Sequence, residues 1–448
     1  MASVGATSAG SRTVSNTASE RPFDGEYDVI VAGGGPGGSA TAAFLAREGI
    51  NVLLLEKARY PRDKTCGDAI SGKSATVLRE LGIIDQVEAA PHSIAEGVRF
   101  SGPDGDELTI PFPKNVDPNG IKNSKKYNYV TPGYVARRLV FDNIVFQHAK
   151  AQKSVTTIEE FEVKDVLFEN GKAVGVSGKD ADGVERRYGA KVVVGADGAM
   201  SVVAQKVGVF DRDHDHWLGA FRVYYEGVTG MTKDIEIHFV DGLIPGYFWI
   251  FPLENGLANV GSGMVETDLQ AVDKNGKKKV QLVEDTYKII REHPKFKDRF
   301  KDAKELPGTR KGWLLPVGSK RRTMHGNGWV LVGDAAALID PFSGEGIGNA
   351  MVSGRLAAAT ITKALAARDT GAAALAPYEA AVRAELDREL MMSYKLQKLG
   401  RHTWLLNFVL RRAAKKPQVR DIISQMLADR EKKEEFGSVW FYIKLLLM

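Results

Sequence analysis

A short, mainly apolar run from Tyr27 to Ala32 opens into a cluster of glycines, and a second run, Val52 to Leu55, ends at Glu56. Between them Pro36 to Glu48 carries helical spacing, so the opening predicts a strand–helix–strand unit. From Ser93 to Pro132 the alternation breaks up among Pro and Gly residues and the basic positions Lys114 and Lys122 to Lys126. This predicts an excursion away from the first unit. Val135 to Lys150 has helical periodicity, and Val155 to Val194 alternates apolar and polar residues around Asn170-Gly171 and Asp182-Gly183, a hairpin pattern. Trp217 to Met264 predicts further strands and Val272 to Lys301 a Lys-rich helical segment. Trp329 to Val332 reads as a buried strand, Gly346 to Ala367 as a small-residue helix, and the chain from Pro377 onward as helical and basic.

These elements predict an α/β fold. A Rossmann-type nucleotide-binding domain is assembled from residues 27–94, 131–213 and 322–376, with an inserted, mostly antiparallel β-sheet domain from 95–130 and 214–321. A helical C-terminal region, 377–448, and a disordered tail, 1–26, complete the expectation.

Composition narrows the class. With 448 residues, 44% hydrophobic and 26% charged, the chain is large enough for two or three lobes. The excess of 61 basic over 56 acidic residues is spread along it and gives no ground for nucleic-acid binding. Cys66 is the single cysteine, which excludes an internal disulfide or a multi-cysteine metal site and fits a reducing compartment; no metal is expected. Met1 to Glu20 is rich in Ser, Thr, Ala and Gly, and its one basic residue, Arg12, makes a transit peptide the weaker reading. The longest apolar stretches, Val439 to Met448 and Thr403 to Leu410, fall far below the roughly 20 residues of a spanning helix. A cytoplasmic location is expected, with any membrane contact peripheral. Basic residues between Lys395 and Arg420 flank Trp404 to Leu410, which suits a membrane headgroup layer and equally a helix docked on the protein's own core.

Gly33, Gly35 and Gly38 form G-x-G-x-x-G between the first strand and the first helix, with Pro36 inside it. In that context the glycines allow a tight turn and close approach of a pyrophosphate to a helix N-terminus. Glu56, with Lys57 beside it, ends the second strand, where a carboxylate accepts hydrogen bonds from an adenosine ribose and disfavours a 2′-phosphate. A glycine-rich turn with a surface glutamate is the plain alternative.

Two later segments bring in a family. Val194-Gly195-Ala196-Asp197-Gly198 followed by Ser201, and Val332-Gly333-Asp334-Ala335-Ala336 followed by Pro341, Gly344, Gly346 and Gly348, resemble the two later motifs of glutathione-reductase-type FAD monooxygenases and reductases. The resemblance implies FAD, with Asp334 at the ribityl–pyrophosphate part and Pro341, Gly344, Gly346 and Ile347 bringing backbone amides and a helix start to the flavin ring. It places Asp197 and Gly198 in the same cofactor site. Arg138, in Arg-x-x-Phe-Asp, matches a further cofactor position, with an exposed helix arginine as the alternative.

Tyr60-Pro61-Arg62-Asp63-Lys64-Thr65-Cys66-Gly67-Asp68-Ala69 and Pro245-Gly246-Tyr247-Phe248-Trp249-Ile250-Phe251-Pro252 are similar to segments of the geranylgeranyl reductases, as is Phe221 to Gly227 with Tyr225. This resemblance covers most of Tyr27 to Gly400. It implies hydride delivery from reduced FAD to an isoprenoid double bond, with Tyr225, Tyr247, Trp249 and Phe251 lining the prenyl pocket and Cys66 and Gly67 near the flavin. Tyr247, Trp249 and Phe251 share one face of a strand. Cys66 is then a proton donor or a pocket-shaping group, or simply a buried thiol, and Asp68 an orienting group. Lys122, Lys125 and Lys126 are candidates for a phosphate head, or a solvated loop. The implied partners are an isoprenoid lipid or prenyl diphosphate, and NAD(P)H or a ferredoxin-like protein as electron donor. A menaquinone side-chain reductase, a flavin-dependent halogenase or monooxygenase, and a prenyl-binding escort protein are the rivals.

Overall fold

The computed structural model describes residues 22–112, 133–416 and 418–420. The readings made for residues 1–21, for Lys114 and Lys122 to Lys126, and for Val439 to Met448 lie outside the described residues.

Strand β1 (Gly25–Ala32) sits inside an eight-stranded sheet, and its last four side chains are completely buried. It begins at Gly25 because Gly25 and Glu26 already pair with Tyr188 and Gly189, so sheet starts inside the tail predicted to run through residue 26. Helix α1 (Pro36–Arg47) leads to β2 (Val52–Leu55), which pairs in parallel with β1. Helix α2 (Gly72–Glu80) follows. Helix α3 (Arg138–Lys150) starts three residues later than the periodicity predicts, because Gly133–Val135 is taken up as a strand between Ala69–Ile70 and Ser93–Ala95. The predicted hairpin Glu162–Glu169 and Lys172–Lys179 turns at Asn170 and Gly171, both at positive φ (50° and 75°), as the tight turn demands. It pairs with the first half of β3 (Glu185–Gly195), whose second half lies parallel to β1.

The chain then enters a second eight-stranded sheet. Strands β4 (Trp217–Glu226), β5 (Asp234–His238), β6 (Tyr247–Pro252) and β7 (Leu257–Val265) lie in the order β4-β7-β6-β5. Gly97–Ser101 and Glu107–Pro111 extend the β5 edge, and the β5 pairing with Gly97–Ser101 is the one parallel ladder among the described pairs of this sheet. The Lys-rich segment is helical only over Leu282–Glu292. Ahead of it the Asp273 side chain captures the N–H groups of Asn275 and Lys277 at 2.8 and 3.0 Å, and this turn competes with helix.

Strand β8 (Trp329–Leu331) returns the chain to the first sheet beside β3. Helix α4 (Ile347–Ala366) packs on α1 through small residues: a Cβ added to Gly37 would lie 3.2 Å from the Ala350 carbonyl, and one on Gly354 2.5 Å from that of Gly37. Helix α5 (Ala372–Leu399) starts five residues before Pro377, the predicted boundary. Asp369 and Asn327 hold the Gly371 and Ala372 N–H groups at 2.8 and 2.9 Å, which fixes the start there and leaves Pro377 inside the helix. Helix α6 (Thr403–Lys415) buries Leu410 and Ala413 in the cluster that holds Leu108 and Ile110 of the second sheet, while Trp404 stays 70% exposed. No helix of the described residues is long and apolar enough to cross a membrane.

Candidate active site

The glycine turn between β1 and α1 divides its labour as close packing requires. Gly33 has φ +107°, and a Cβ there would sit 2.3 Å from the Ala196 carbonyl oxygen; one on Gly38 would sit 1.9 Å from that of Gly33. Both are needed to bring strand, turn and helix together. Gly35 differs: the nearest atom to an added Cβ is Arg62 Nη2 at 3.6 Å, and Gly35 and Pro36 line a cavity of about 500 Å³. Helix α1 opens with no side-chain cap and no acidic residue in its first turn, so its positive end faces open space. Such a turn would cradle a pyrophosphate, and a side chain at Gly35 would fill that space.

Charged groups collect around this turn. Glu56 accepts the N–H groups of Gly34 and Ala58, both at 2.8 Å, with one further lone-pair direction left on each oxygen for a ribose. Lys57 is exposed and does not line the cavity. Arg138 is buried at the start of α3, donates to Asp142 through two nitrogens (2.6 and 2.7 Å), and also reaches the Cys66 sulfur. Asp142 in turn holds Arg62 at 2.7 Å. The Lys64 ammonium is 3.0 Å from Asp334, and both residues line the cavity. Asp197 turns inward instead: Ser201 Oγ and the Val203 N–H donate to it at 2.5 and 3.1 Å, while its neighbour Gly198, at φ +81°, borders the cavity. Pro341, Gly344, Gly346 and Ile347 line the same cavity where α4 begins, again without cap or first-turn acid.

The far wall is apolar. Tyr247, Trp249 and Phe251 project from one face of β6 into the cavity, whereas Phe248 and Ile250 pack on the other side of the sheet. Tyr225 belongs to that other side. It meets the Phe300 ring edge-on at 5.2 Å and does not line the cavity, so its predicted place in the pocket is corrected by strand parity: its neighbour Tyr224 faces the loop that carries Cys66.

Cys66 and Gly67 line the cavity, and burial pushes the thiol up, so it is protonated at neutral pH. Asp68 does not line it. It is fully buried, sits at φ +65°, and accepts from Tyr224 Oη at 2.6 Å and Asn259 Nδ2 at 2.8 Å on one oxygen; the other has no partner among the described residues. Burial raises its carboxyl to about 6 against these hydrogen bonds. Arg62, Lys64, Tyr224 and Asn259 were not singled out from sequence. Asn259 left one signal, a lone amide in the apolar strand Leu257 to Val260.

The family model described as FAD binding domain matches residues 26–385. The chain belongs to this family. FAD is its cofactor, and the enzyme is an FAD-dependent oxidoreductase. A menaquinone reductase of Mycobacterium tuberculosis is 32% identical over 346 residues, covering 75% of this chain and 76% of its own length. A digeranylgeranylglycerophospholipid reductase of Methanocella arvoryzae is 31% identical over 383 residues, covering 84% and 87%. The crystal structure of a geranylgeranyl bacteriochlorophyll reductase-like protein from Thermoplasma acidophilum superposes with a TM-score of 0.75 at 25% identity, over 87% of this chain and 92% of that one. The residues around Gly35, Glu56 and Asp334 fit such a cofactor: open backbone that would take a pyrophosphate, a carboxylate that would accept from a ribose, and an uncapped helix start that would face the ring.

Proposed function

We propose that this enzyme reduces isoprenoid double bonds, the geranylgeranyl chain of a lipid or of a diphosphate being the substrate class. The observation that carries the reading is one cavity that runs from the glycine turn and the start of α4 to the aromatic face of β6. Reduced FAD supplies the hydride. The chain's own residues bind, orient and exclude water: Tyr247, Trp249 and Phe251 offer a wall to a polyprenyl tail, each of whose buried CH₂ groups contributes about 0.8 kcal/mol. The Cys66 thiol stays protonated beside this wall and is assigned the proton for the second alkene carbon, with Arg138 and the Asp68 N–H holding its sulfur. Asp68 acts behind the wall, tying the thiol loop to Tyr224 and Asn259.

A menaquinone side chain is the second reading, favoured by the name of the mycobacterial relative. Menaquinone and a geranylgeranyl lipid are both membrane lipids. Access from a bilayer is supported by the exposed Trp404, four residues beyond Gly400 on the cavity wall, and by the exposed Lys395 and Lys398. Among the described residues β1–α1 is the one glycine turn of dinucleotide type, so NAD(P)H or a ferredoxin-like protein would deliver electrons without a second Rossmann unit. The test is anaerobic: pre-reduced enzyme is mixed with geranylgeranyl lipids or menaquinone and the products are weighed by mass spectrometry. Two hydrogens gained per double bond, and the faster of the two substrates, support the reading and rank its forms. Oxygen or halogen incorporation under air overturns it, as does a purified protein without flavin absorbance, the mark of an escort protein.

A further inference from the structure

Lys73 is the one lysine that is fully buried among the described residues, at 4% exposure. Its ammonium lies 2.9 Å from Glu389 of α5, 2.9 Å from the Asn349 side-chain oxygen of α4 and 3.6 Å from Glu345. Removing an ammonium from water costs several kcal/mol unless it is paired, so a lysine here must be held by its partners. Glu345 belongs to the segment Asp340 to Gly346, of which Pro341 to Gly346 line the cavity, and Asn349 donates to the Glu345 carbonyl. The segment folds on itself, Asp340 accepting the N–H groups of Phe342 and Ser343 at 3.0 and 2.8 Å. It is tied from outside by neutral groups, Tyr247 Oη to the Ser343 carbonyl (3.0 Å) and Gln397 to that of Pro341 (2.6 Å). Lys73 is the cationic tether. Through Asn349 its charge stands beside the first turn of α4, whose positive end is already uncapped. The carboxylates of Glu345 and Glu389 oppose it.

We infer that Lys73 and Glu389 are positioning residues of opposite electrostatic sign that set the reduction potential of the bound flavin. This rests on the proposed reading, which puts the flavin ring at the start of α4. A reduced flavin carries more negative charge than an oxidised one, so a buried cation nearby favours reduction and a buried carboxylate disfavours it.

The experiment measures the midpoint potential of FAD-loaded protein at pH 8 for wild type, Glu389→Gln, Lys73→Met and the double variant. Glu389→Gln should raise the potential and Lys73→Met lower it, each by at least tenfold in the reduced-to-oxidised ratio, which is about 30 mV for a two-electron couple. The double variant, which restores the net charge, should return close to wild type. A purely structural role moves both single variants the same way or neither, and either result overturns the inference. Where Lys73→Met does not retain flavin, the rise or constancy of the potential in Glu389→Gln decides alone. Gly346→Val, whose added Cβ would press on Ile339 and Asp334 of the cavity wall at 3.2 and 3.4 Å, separates the two levels. If it perturbs the flavin while the charge variants do not, the ring position stands and the Lys73 assignment falls; if it too is silent, both fall.

Discussion

The indole N–H of Trp249 donates to Oδ1 of Asn259 at 2.9 Å, and the amide nitrogen of that Asn259 holds the Cys66 carbonyl at 2.7 Å and Asp68 at 2.8 Å. One buried side chain therefore fixes the aromatic wall and the thiol loop relative to each other. Replacing it by leucine, Asn259→Leu, leaves an indole N–H and a carbonyl unpaired and takes one of two donors from Asp68. The expected loss is about 3 kcal/mol in urea unfolding, with flavin retained and turnover reduced. A variant as stable and as active as wild type contradicts the assignment.

The two ends of the glycine motif should fail differently. Gly35→Val projects into open cavity, so the protein should fold with near-normal thermal stability yet purify colourless. Gly38→Val meets the Gly33 carbonyl at a distance no packing tolerates and should not yield folded protein. Normal flavin content in Gly35→Val would remove the basis for placing the pyrophosphate there.

Asp68 gives a pH signature. Its folded pKa of about 6 lies above the ordinary 3.8, so its contribution to stability is complete below pH 3.8 and is lost as the pH rises through 6. Asp68→Asn keeps an acceptor for Tyr224 and Asn259 while removing the charge. Between pH 4.5 and 7.5 the variant should lose less stability than wild type, by on the order of 3 kcal/mol over the full titration. Parallel stability curves across that range would rule out the buried, charge-penalised carboxyl.

Cys66→Ser should retain FAD and lose most of its alkene reduction, because a hydroxyl is a far weaker acid than a thiol. Stopped-flow reoxidation of pre-reduced protein reads this without the electron donor. An unchanged rate, with only thermal stability lowered, would make Cys66 a packing residue.

The strand–turn–helix opening was legible because its signals are local: β2 begins and ends where the apolar run does, and α1 follows the glycines at Pro36. The face of β6 was legible for the same reason, since alternation pairs Tyr247 with Trp249 and Phe251. Alternation does not say which face meets a cavity, and Tyr225 shows the consequence: parity was visible in Phe221 to Gly227, but the choice between Tyr224 and Tyr225 depends on a partner, Asp68, more than 150 residues away. Lys64 with Asp334, and Lys73 with Glu345 and Glu389, are pairs of the same long-range kind. Charge alone in a sequence does not identify its counter-charge. The start of the Lys-rich helix at Leu282 was hidden by a turn whose cause, the Asp273 side chain, competes with a pattern that otherwise reads as helical.

Strand β1 is made long before the second of the two strands that flank it. Its neighbour β3 follows after more than 150 residues, and β8 and Asp334 after about 300. At a synthesis rate of roughly 5–20 residues per second, the glycine turn waits on the order of 15–60 s before the residues that face it across the cavity exist. For about the first half of that interval the edge of β1 that β3 later covers is open to other chains. The cavity is thus walled only after the residues from Asp334 to Gly400 have been made.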